Sequence, residues 1–520
     1  MRSEQKTNVK NSVGRLTVTG ISILIQVLWI VELFVRLNRY STAISLFSSI
    51  LALTVALRIY GKHSNAAFKT PWIILILAFP VAGLCIYAIF GNSNSTKRMR
   101  ERFAKLDEAL KPYNPQEPEV FWTLENEDYG IANQCRYVRD FGGYPVYRNT
   151  DIVFYDDAKK GFEAQLLALK QAEKYIFMEY HAIEEAEAFL QIKDILAERA
   201  AAGVDVRLFY DDVGSIGFIN TDFIRRMEAV GVKCRVFNPV NPFFNMFMNN
   251  RDHRKITVID GKIGFTGGYN LANEYFNLTH PYGHWKDTGI RLCGDAVRSL
   301  TVMFLEMWNA MERSYKPVQG LKEDIRPFLR KPDYTAAEQG FVQPYADSPL
   351  DGEALGESVY LNLIKHAKHR FYASTPYLII SDEMVRELGL AAKRGVDVRI
   401  ITPGIPDKKM IYKVTRSYYA GLVRQGVRVY EYTPGFIHAK QTVCDGEAAT
   451  IGTINFDYRS LYHHFENGVF LYQMDAVQEI EKDFERLFPV CEEVTEKYRD
   501  GRSAVLRISQ CILRLFAPLL

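Results

Sequence analysis

The sequence predicts an α/β protein of two duplicated α/β/α halves arranged around a pseudo-twofold active site, preceded by N-terminal transmembrane helices. Three observations carry this expectation: apolar runs fill much of the first 90 residues, the remainder repeats a strand–helix pattern, and each repeat holds one copy of the same reactive motif.

A chain of 520 residues has room for two or three domains with substantial cores. Its net charge is +3 on 64 basic and 61 acidic side chains, which argues against a strongly basic nucleic-acid-binding surface. The seven cysteines show no C-x-x-C or paired spacing, so neither a disulfide framework nor a zinc site is expected.

Residues 1–95 read as a membrane anchor with two to three transmembrane helices. The apolar runs are Leu16–Val35, Thr42–Leu57 and Pro71–Phe90. About 20 apolar residues cover a hydrocarbon core, so the first and third are long enough, and the second is marginal unless Arg58 snorkels. Arg2, Lys6, Lys10 and Arg15 precede the first run, but its length and the lack of a small-x-small cleavage site favour an anchor over a cleaved signal peptide. The third run is followed by Lys97, Arg98, Arg100, Arg102 and Lys105. Both basic flanks favour the inner face, whereas three crossings would separate them. The reading is a multi-pass protein of the cell membrane with a cytosolic catalytic part. Residues 96–134 read as a linker.

The halves are assigned to residues 135–325 and 326–498. Ala201-Ala-Gly-Val-Asp-Val-Arg-Leu in the first resembles Ala392-Lys-Arg-Gly-Val-Asp-Val-Arg-Ile in the second. Each reads as a helix end, a glycine stop and an apolar strand. Tyr175-Ile-Phe-Met-Glu and Arg370-Phe-Tyr-Ala-Ser precede the two helices as matching strands. This alternation predicts a largely parallel central sheet in each half.

The strongest match is chemical. His253-Arg-Lys255-Ile-Thr-Val-Ile-Asp260 is followed by Gly267-Gly268-Tyr-Asn270, and His438-Ala-Lys440-Gln-Thr-Val-Cys-Asp445 by Gly452-Thr453-Ile-Asn455. The second set lies 185 residues after the first at every one of these positions. On a strand, His253 and Lys255 would share a face, and likewise His438 and Lys440. Asp260-Gly261 is a hairpin signal. Two imidazoles, two ammoniums and two carboxamides suit an anionic tetrahedral group such as a phosphodiester. The lysines supply positive charge where a divalent ion would otherwise serve, so no metal is expected. Downstream, Asp287 and Glu466 stand at matching places, where a carboxylate can accept a hydrogen bond from Nδ1 of a histidine or simply end a strand in solvent.

These motifs resemble the signature of the phospholipase D superfamily over most of residues 135–490. Within it the chain is similar to bacterial-type cardiolipin synthases in the stretches Asn250–Asn270, Pro406–Tyr419 and Pro434–Lys440, and in Tyr87-Ala-Ile-Phe-Gly91. Thr453 stands where that family usually carries serine, and the additional N-terminal apolar run departs from its commoner two spans.

The resemblance implies phospholipase D-like halves and a two-step transfer between two phosphatidylglycerol molecules through a phosphohistidine, without a cofactor. It implies His253 as nucleophile and His438 as acid/base, although the near symmetry of the halves leaves the order open here. Lys255, Lys440, Asn270 and Asn455 would hold the phosphoryl oxygens, with Gly268 and Thr453 beside them, and Asp287 and Glu466 would orient the histidines. Asp260 and Asp445 complete the catalytic motifs, more as turn and scaffold residues than as proton carriers. Hydrolysis, another alcohol acceptor and a membrane-associated nuclease are the alternatives, and nucleic acid is not an expected partner.

Two further segments read either as lipid contacts or as packed on the protein, the loop between the halves and the tail on its surface. The apolar loop Asn238–Met248 precedes His253, and residues 499–520 read as a basic amphipathic helix in which Val505, Ile508, Ile512 and Phe516 recur at helical spacing.

Overall fold

In the computed structural model, which describes residues 42–63, 65–91, 97–220, 222–239, 250–311, 323–499 and 512–519 with scattered positions between 17 and 36, the two sequence repeats become two mixed β-sheets. The first is built from β1 (Thr150–Tyr155), β2 (Tyr175–Tyr180), β3 (Asp205–Asp211), β4 (Lys233–Phe237), β5 (Lys255–Ile259), β6 (Ile263–Gly267) and β7 (Gly289–Gly294), in the order β1-β7-β6-β5-β2-β3-β4. The second is built from β8 (Phe341–Asp347), β9 (Arg370–Ser374), β10 (Asp397–Pro403), β11 (Arg428–Tyr432), β12 (Gln441–Cys444), β13 (Ala448–Gly452) and β14 (His464–Tyr472). Its order is β8-β14-β13-β12-β9-β10-β11, with β15 (Cys491–Glu493) added at the edge. The duplication therefore extends to strand order.

The expectation of a largely parallel sheet fails. Only β2–β3–β4 and β9–β10–β11 run parallel. The motif strands β5 and β6, and likewise β12 and β13, pair antiparallel. The cause is the connection. Asp260 and Gly261 take φ of 53° and 66°, and Asp445 and Gly446 take 54° and 73°, making tight turns that return the chain alongside itself. A parallel neighbour needs a crossover helix, which only the glycine-stopped repeats supply.

One unit of the chain comprises residues 96–239 and 251–501, and holds both sheets. Between 96 and 134 the structure differs from the expected linker. Helices Lys97–Leu110, Pro118–Glu127 and Tyr129–Gly142 bury Phe103, Leu106, Leu110, Phe121 and Leu124. Phe103 stacks on Phe465 at 5.0 Å, which ties this segment to the second sheet.

The other unit comprises residues 1–95, 240–250 and 502–520. It contains α1 (Thr42–Tyr60), α2 (Ala66–Ala78) and α3 (Pro80–Phe90), gathered on Ala52, Ile59, Ile76, Trp72, Leu84 and Tyr87. Among the described residues no helix is long and apolar enough to cross a membrane. The first apolar run lies largely outside the described residues, and the third forms two short helices rather than one long one. Residues 240–249 of the apolar loop, with Val505 and Ile508 of the tail, also lie outside the described residues. Ile512 and Phe516 are exposed, while Ala517 is buried in a turn beside α2.

Candidate active site

The two histidines leave the strand ladder just before the motif strands begin. Arg251–Asp252 pairs in parallel with His464–Phe465, and His253 N–H then donates to Phe465 O at 2.8 Å. The next acceptor along β14 is Glu466, whose two carboxylate oxygens both lie 2.9 Å from His253 Nδ1. The second half repeats the device. Gly435–Ile437 pairs in parallel with His284–Lys286, His438 N–H donates to Lys286 O at 2.7 Å, and His438 Nδ1 lies 2.7 Å from Asp287 Oδ2. Each histidine is thus oriented by the carboxylate of the opposite half.

A shared strand face for His and Lys is not what forms. His253, His438 and Lys440 lie outside strands, and Lys255 only opens β5. The lysines reach their histidines by folding back. Lys255 Nζ donates to His253 O at 2.6 Å, and Lys440 Nζ donates to His438 O while lying 2.7 Å from His438 Nδ1.

Burial and mutual repulsion set the charges. Desolvation, aided by Lys255, His181, Lys440 and His438, holds His253 well below the usual histidine range. Desolvation and Lys440 push His438 down to about 3 against the pull of Asp287. Desolvation takes Lys255 to about 8 and Lys440 to about 7, although nearby carboxylates oppose it. Burial raises Asp287, but His438 and Lys440 outweigh it and leave the carboxylate below its ordinary value. Because residues of each motif shift those of the other, the two motifs share one electrostatic site. At neutral pH both imidazoles are neutral, and an Nδ1–H bound to carboxylate leaves the Nε2 lone pair available.

The remaining motif residues divide. Gly268 makes room: a Cβ there would collide with Asp287 Oδ1. Thr453, its counterpart, donates its hydroxyl to Glu466 Oε2. Asn270 is engaged within the protein, accepting from Ala182 N–H at 3.1 Å and donating to Tyr275 OH at 2.8 Å. Asn455 is buried, and its Oδ1 lacks a hydrogen-bond partner among the described residues. Asp260 and Asp445 sit at the far ends of the motif strands. Asp260 accepts from the N–H groups of Glu173, Lys174 and Tyr175 at 2.7–2.8 Å, and Asp445 from Lys368, His369 and Arg370 at 2.8 Å. Neither touches His253 or His438; each clamps the start of the neighbouring strand.

Residues that the sequence reasoning missed make the halves unequal. His181, just past the carboxyl end of β2, places its ring 4.9 Å from that of His253, and the ring of His464 lies 5.6 Å from it. Among the described residues neither buried ring nitrogen of His464 has a hydrogen-bond partner, and Nδ1 stands 3.7 Å from Glu466 Oε1. Around His438 the neighbours are instead Trp285 at 5.2 Å, Tyr275 at 5.3 Å and Phe436 at 5.9 Å. A usable signal existed: His464 and Glu466, two apart on one strand, share a face. The ligand atoms of His253, His464 and Glu466 lie within 4.8 Å of one another, the one grouping among the described residues able to hold a metal ion. Glu466 is already engaged there by His253 and Thr453.

The chain matches the family described as cardiolipin synthase, PLD-like domain, over residues 166–308 and 360–488, and the phospholipase D-nuclease N-terminal family over 49–92. It is 33% identical over 484 residues to a cardiolipin synthase of Geobacillus kaustophilus, covering 92% of this chain and 94% of the relative. It is 33% identical over 474 residues to cardiolipin synthase 2 of Bacillus cereus, covering 91% and 90%. An uncharacterised protein of Streptococcus mutans is 38% identical over 449 residues, covering 86% and 96%. Among solved structures, the phosphatidylserine synthase of Haemophilus influenzae superposes with a TM-score of 0.56 at 14% identity, covering 74% of this chain and 97% of that one, a likeness of fold.

Proposed function

From the premise that this chain belongs to the cardiolipin synthase family of phospholipase D-like proteins, we propose that it transfers a phosphatidyl group from one phosphatidylglycerol to another, giving cardiolipin and glycerol. The observation that carries the reading is the crossed pair of histidine–carboxylate contacts, His253–Glu466 and His438–Asp287, with a buried lysine folded onto each histidine.

In the first step Nε2 of one neutral imidazole attacks phosphorus, and the bond to the headgroup glycerol oxygen breaks as the other histidine, which enters the step as the imidazolium once the anionic phosphodiester is bound, delivers its Nε2 proton to that oxygen. In the second, a hydroxyl of another phosphatidylglycerol gives its proton to the same acid/base histidine and attacks phosphorus. The N–P bond breaks, and both imidazoles return to their starting state. Lys255, Lys440 and Asn455 stabilise the phosphoryl oxygens.

The surroundings favour His253 as nucleophile. Desolvation, with Lys255 and His181 beside it, opposes protonation, which preserves its lone pair. His438 must carry a proton during the reaction, and Asp287, 2.7 Å from its Nδ1, stabilises the imidazolium, with the rings of Trp285, Tyr275 and Phe436 packed around it. The enzyme acts at the cell membrane, with the apolar N-terminal segment as anchor and the catalytic unit in the cytosol.

Expression in cells lacking cardiolipin, followed by mass spectrometry of their lipids, tests the reading. Cardiolipin should form with the wild-type chain and vanish with His253→Ala or His438→Ala. Phosphatidic acid as the sole product would instead make the enzyme a hydrolase.

A further inference from the structure

Pro71–Phe90 is long enough to be read as a span, yet its backbone folds back. α2 stops at Ala78, and Phe79 leaves the helical path at φ −133° and ψ 74°. Pro80 then opens α3, where its missing N–H is no loss. Trp72 and Tyr87 meet edge to face at 5.3 Å, whereas a straight helix would hold them roughly 22 Å apart. A Cβ at Gly83 would stand 2.6 Å from Ile76 Cα, so only glycine permits so close a return. With 13 and 11 residues, the two helices rise about 20 and 16 Å, short of a hydrocarbon core of about 30 Å.

The open end and the tip of this hairpin differ in chemistry. At the open end, Lys62 Nζ donates to Tyr87 OH at 3.1 Å, and Lys69 Nζ donates to the carbonyls of Lys62 and Tyr60 at 3.0 and 3.2 Å. Each ammonium also lies 5.8 Å from a tyrosine ring centre, Lys62 from Tyr87 and Lys69 from Tyr60. The end of α1, the start of α2 and the end of α3 are gathered in this collar of lysine and tyrosine, the residue types that suit anionic headgroups. At the tip Phe79 is 63% exposed, with Leu77 and Ile74 exposed on the approach, and no charged residue occurs between Lys69 and Lys97. On α1, Leu46, Ile50, Leu53 and Leu57 form an exposed apolar stripe.

We propose that α2 and α3 form a re-entrant hairpin that enters the lipid bilayer from the face marked by Lys62 and Lys69, places Phe79 deepest, and leaves by the same face. The inference rests on the membrane reading above and deepens it. Lipid is the occupant of the exposed apolar surface, because the cationic and phenolic collar ends that surface at one level. Because it leaves by the face it enters, the hairpin adds no crossing between the basic residues Arg2, Lys6, Lys10 and Arg15 before it and Lys97, Arg98, Arg100, Arg102 and Lys105 after it.

The test uses the full-length chain with its seven cysteines replaced, cardiolipin formation confirming that it folds, and single cysteines introduced as His63→Cys, Phe79→Cys and Ser95→Cys. A membrane-impermeant maleimide is applied to intact and then to permeabilised spheroplasts. His63→Cys and Ser95→Cys should react only after permeabilisation, and Phe79→Cys only after detergent dissolves the bilayer. Reaction of positions 63 and 95 from opposite sides would mean a true crossing and overturn the hairpin. So would a Phe79→Cys that reacts as fast as His63→Cys in permeabilised cells. Reaction of both flanks from outside would keep the hairpin and overturn the cytosolic placement, whereas a protein washed off membranes by alkaline carbonate would overturn the membrane reading itself. If the cysteine-free chain makes no cardiolipin, protease sites inserted after His63 and after Asn94 in the wild-type chain report the same sidedness.

Discussion

His253 has two further imidazoles beside it, His181 and His464, and His438 has aromatic rings, although each carries its own lysine and the backbone that presents them is repeated strand for strand. The contrast teaches that a duplicated scaffold need not give duplicated surroundings. Position on the sheet sets where each imidazole points, and the side chains packed around it set which charge state it tolerates.

Four measurements break or sharpen that comparison. The largest effect belongs to the histidines. His253→Ala should lower turnover on the order of 10⁴-fold or more, because the covalent intermediate is lost. His438→Ala should cost about 10²- to 10⁴-fold, the usual worth of a general acid/base. With phosphatidyl-p-nitrophenol, whose leaving group needs no proton, His438→Ala should accumulate a phosphate label on the His253 peptide. A label on the His438 peptide in the reciprocal variant would reverse the two roles.

Next come the orienting carboxylates. Glu466→Gln and Asp287→Asn should each lower kcat by about 10- to 100-fold with little change in KM, as loss of a supporting hydrogen bond does elsewhere. Asp287→Asn should cost more, because the histidine it holds becomes charged during the reaction. Equal losses, or losses in KM alone, would count against distinct roles.

A smaller effect is expected behind those acids. Gly268→Ala forces Asp287 aside and should lower kcat as Asp287→Asn does, with a stability loss of about 1–3 kcal/mol by thermal unfolding. Thr453→Ala removes one hydrogen bond to Glu466, worth about 1 kcal/mol, and Thr453→Ser should restore it.

The mildest is a pH effect. Lys440 and Lys255 hold folded-state values of about 7 and about 8, depressed chiefly by burial, so each is cationic below its value and neutral above it. Inhibition by glycerophosphoglycerol, a phosphodiester of constant charge, should therefore weaken as pH rises through 7 and then 8. The lower limb should disappear in Lys440→Met and the upper in Lys255→Met. An affinity flat across that window would show that the lysines do not bind the phosphodiester.

Much of the fold was readable because it obeys local rules. The glycine stops at Gly203 and Gly395 take φ of 91° and 95°, as helix ends before parallel strands require. Asp260-Gly261 and Asp445-Gly446 turn as their residue types demand. The antiparallel halves of the sheets were missed because the helix–glycine–strand repeats report only on crossover strands, while the hairpin signal says how two strands meet and not which sheet they join. The helices within 96–134 were missed because that segment is polar enough to read as linker, and its apolar positions gain meaning only against Phe465.

By itself the sequence marked the candidate reactive groups, since a repeated motif of imidazole, ammonium and carboxamide at constant spacing is a one-dimensional fact. It also marked Asp287 and Glu466 as the carboxylates to watch. Tertiary structure decided the rest: that each acid serves the histidine of the other half, that Gly268 is a space for Asp287, and that His181 and His464 crowd one histidine while rings enclose the other. The reason is physical. Apart from Phe436, two residues from His438, those relations join residues between 19 and 213 positions apart, through strand bridges and ring contacts that no local periodicity records.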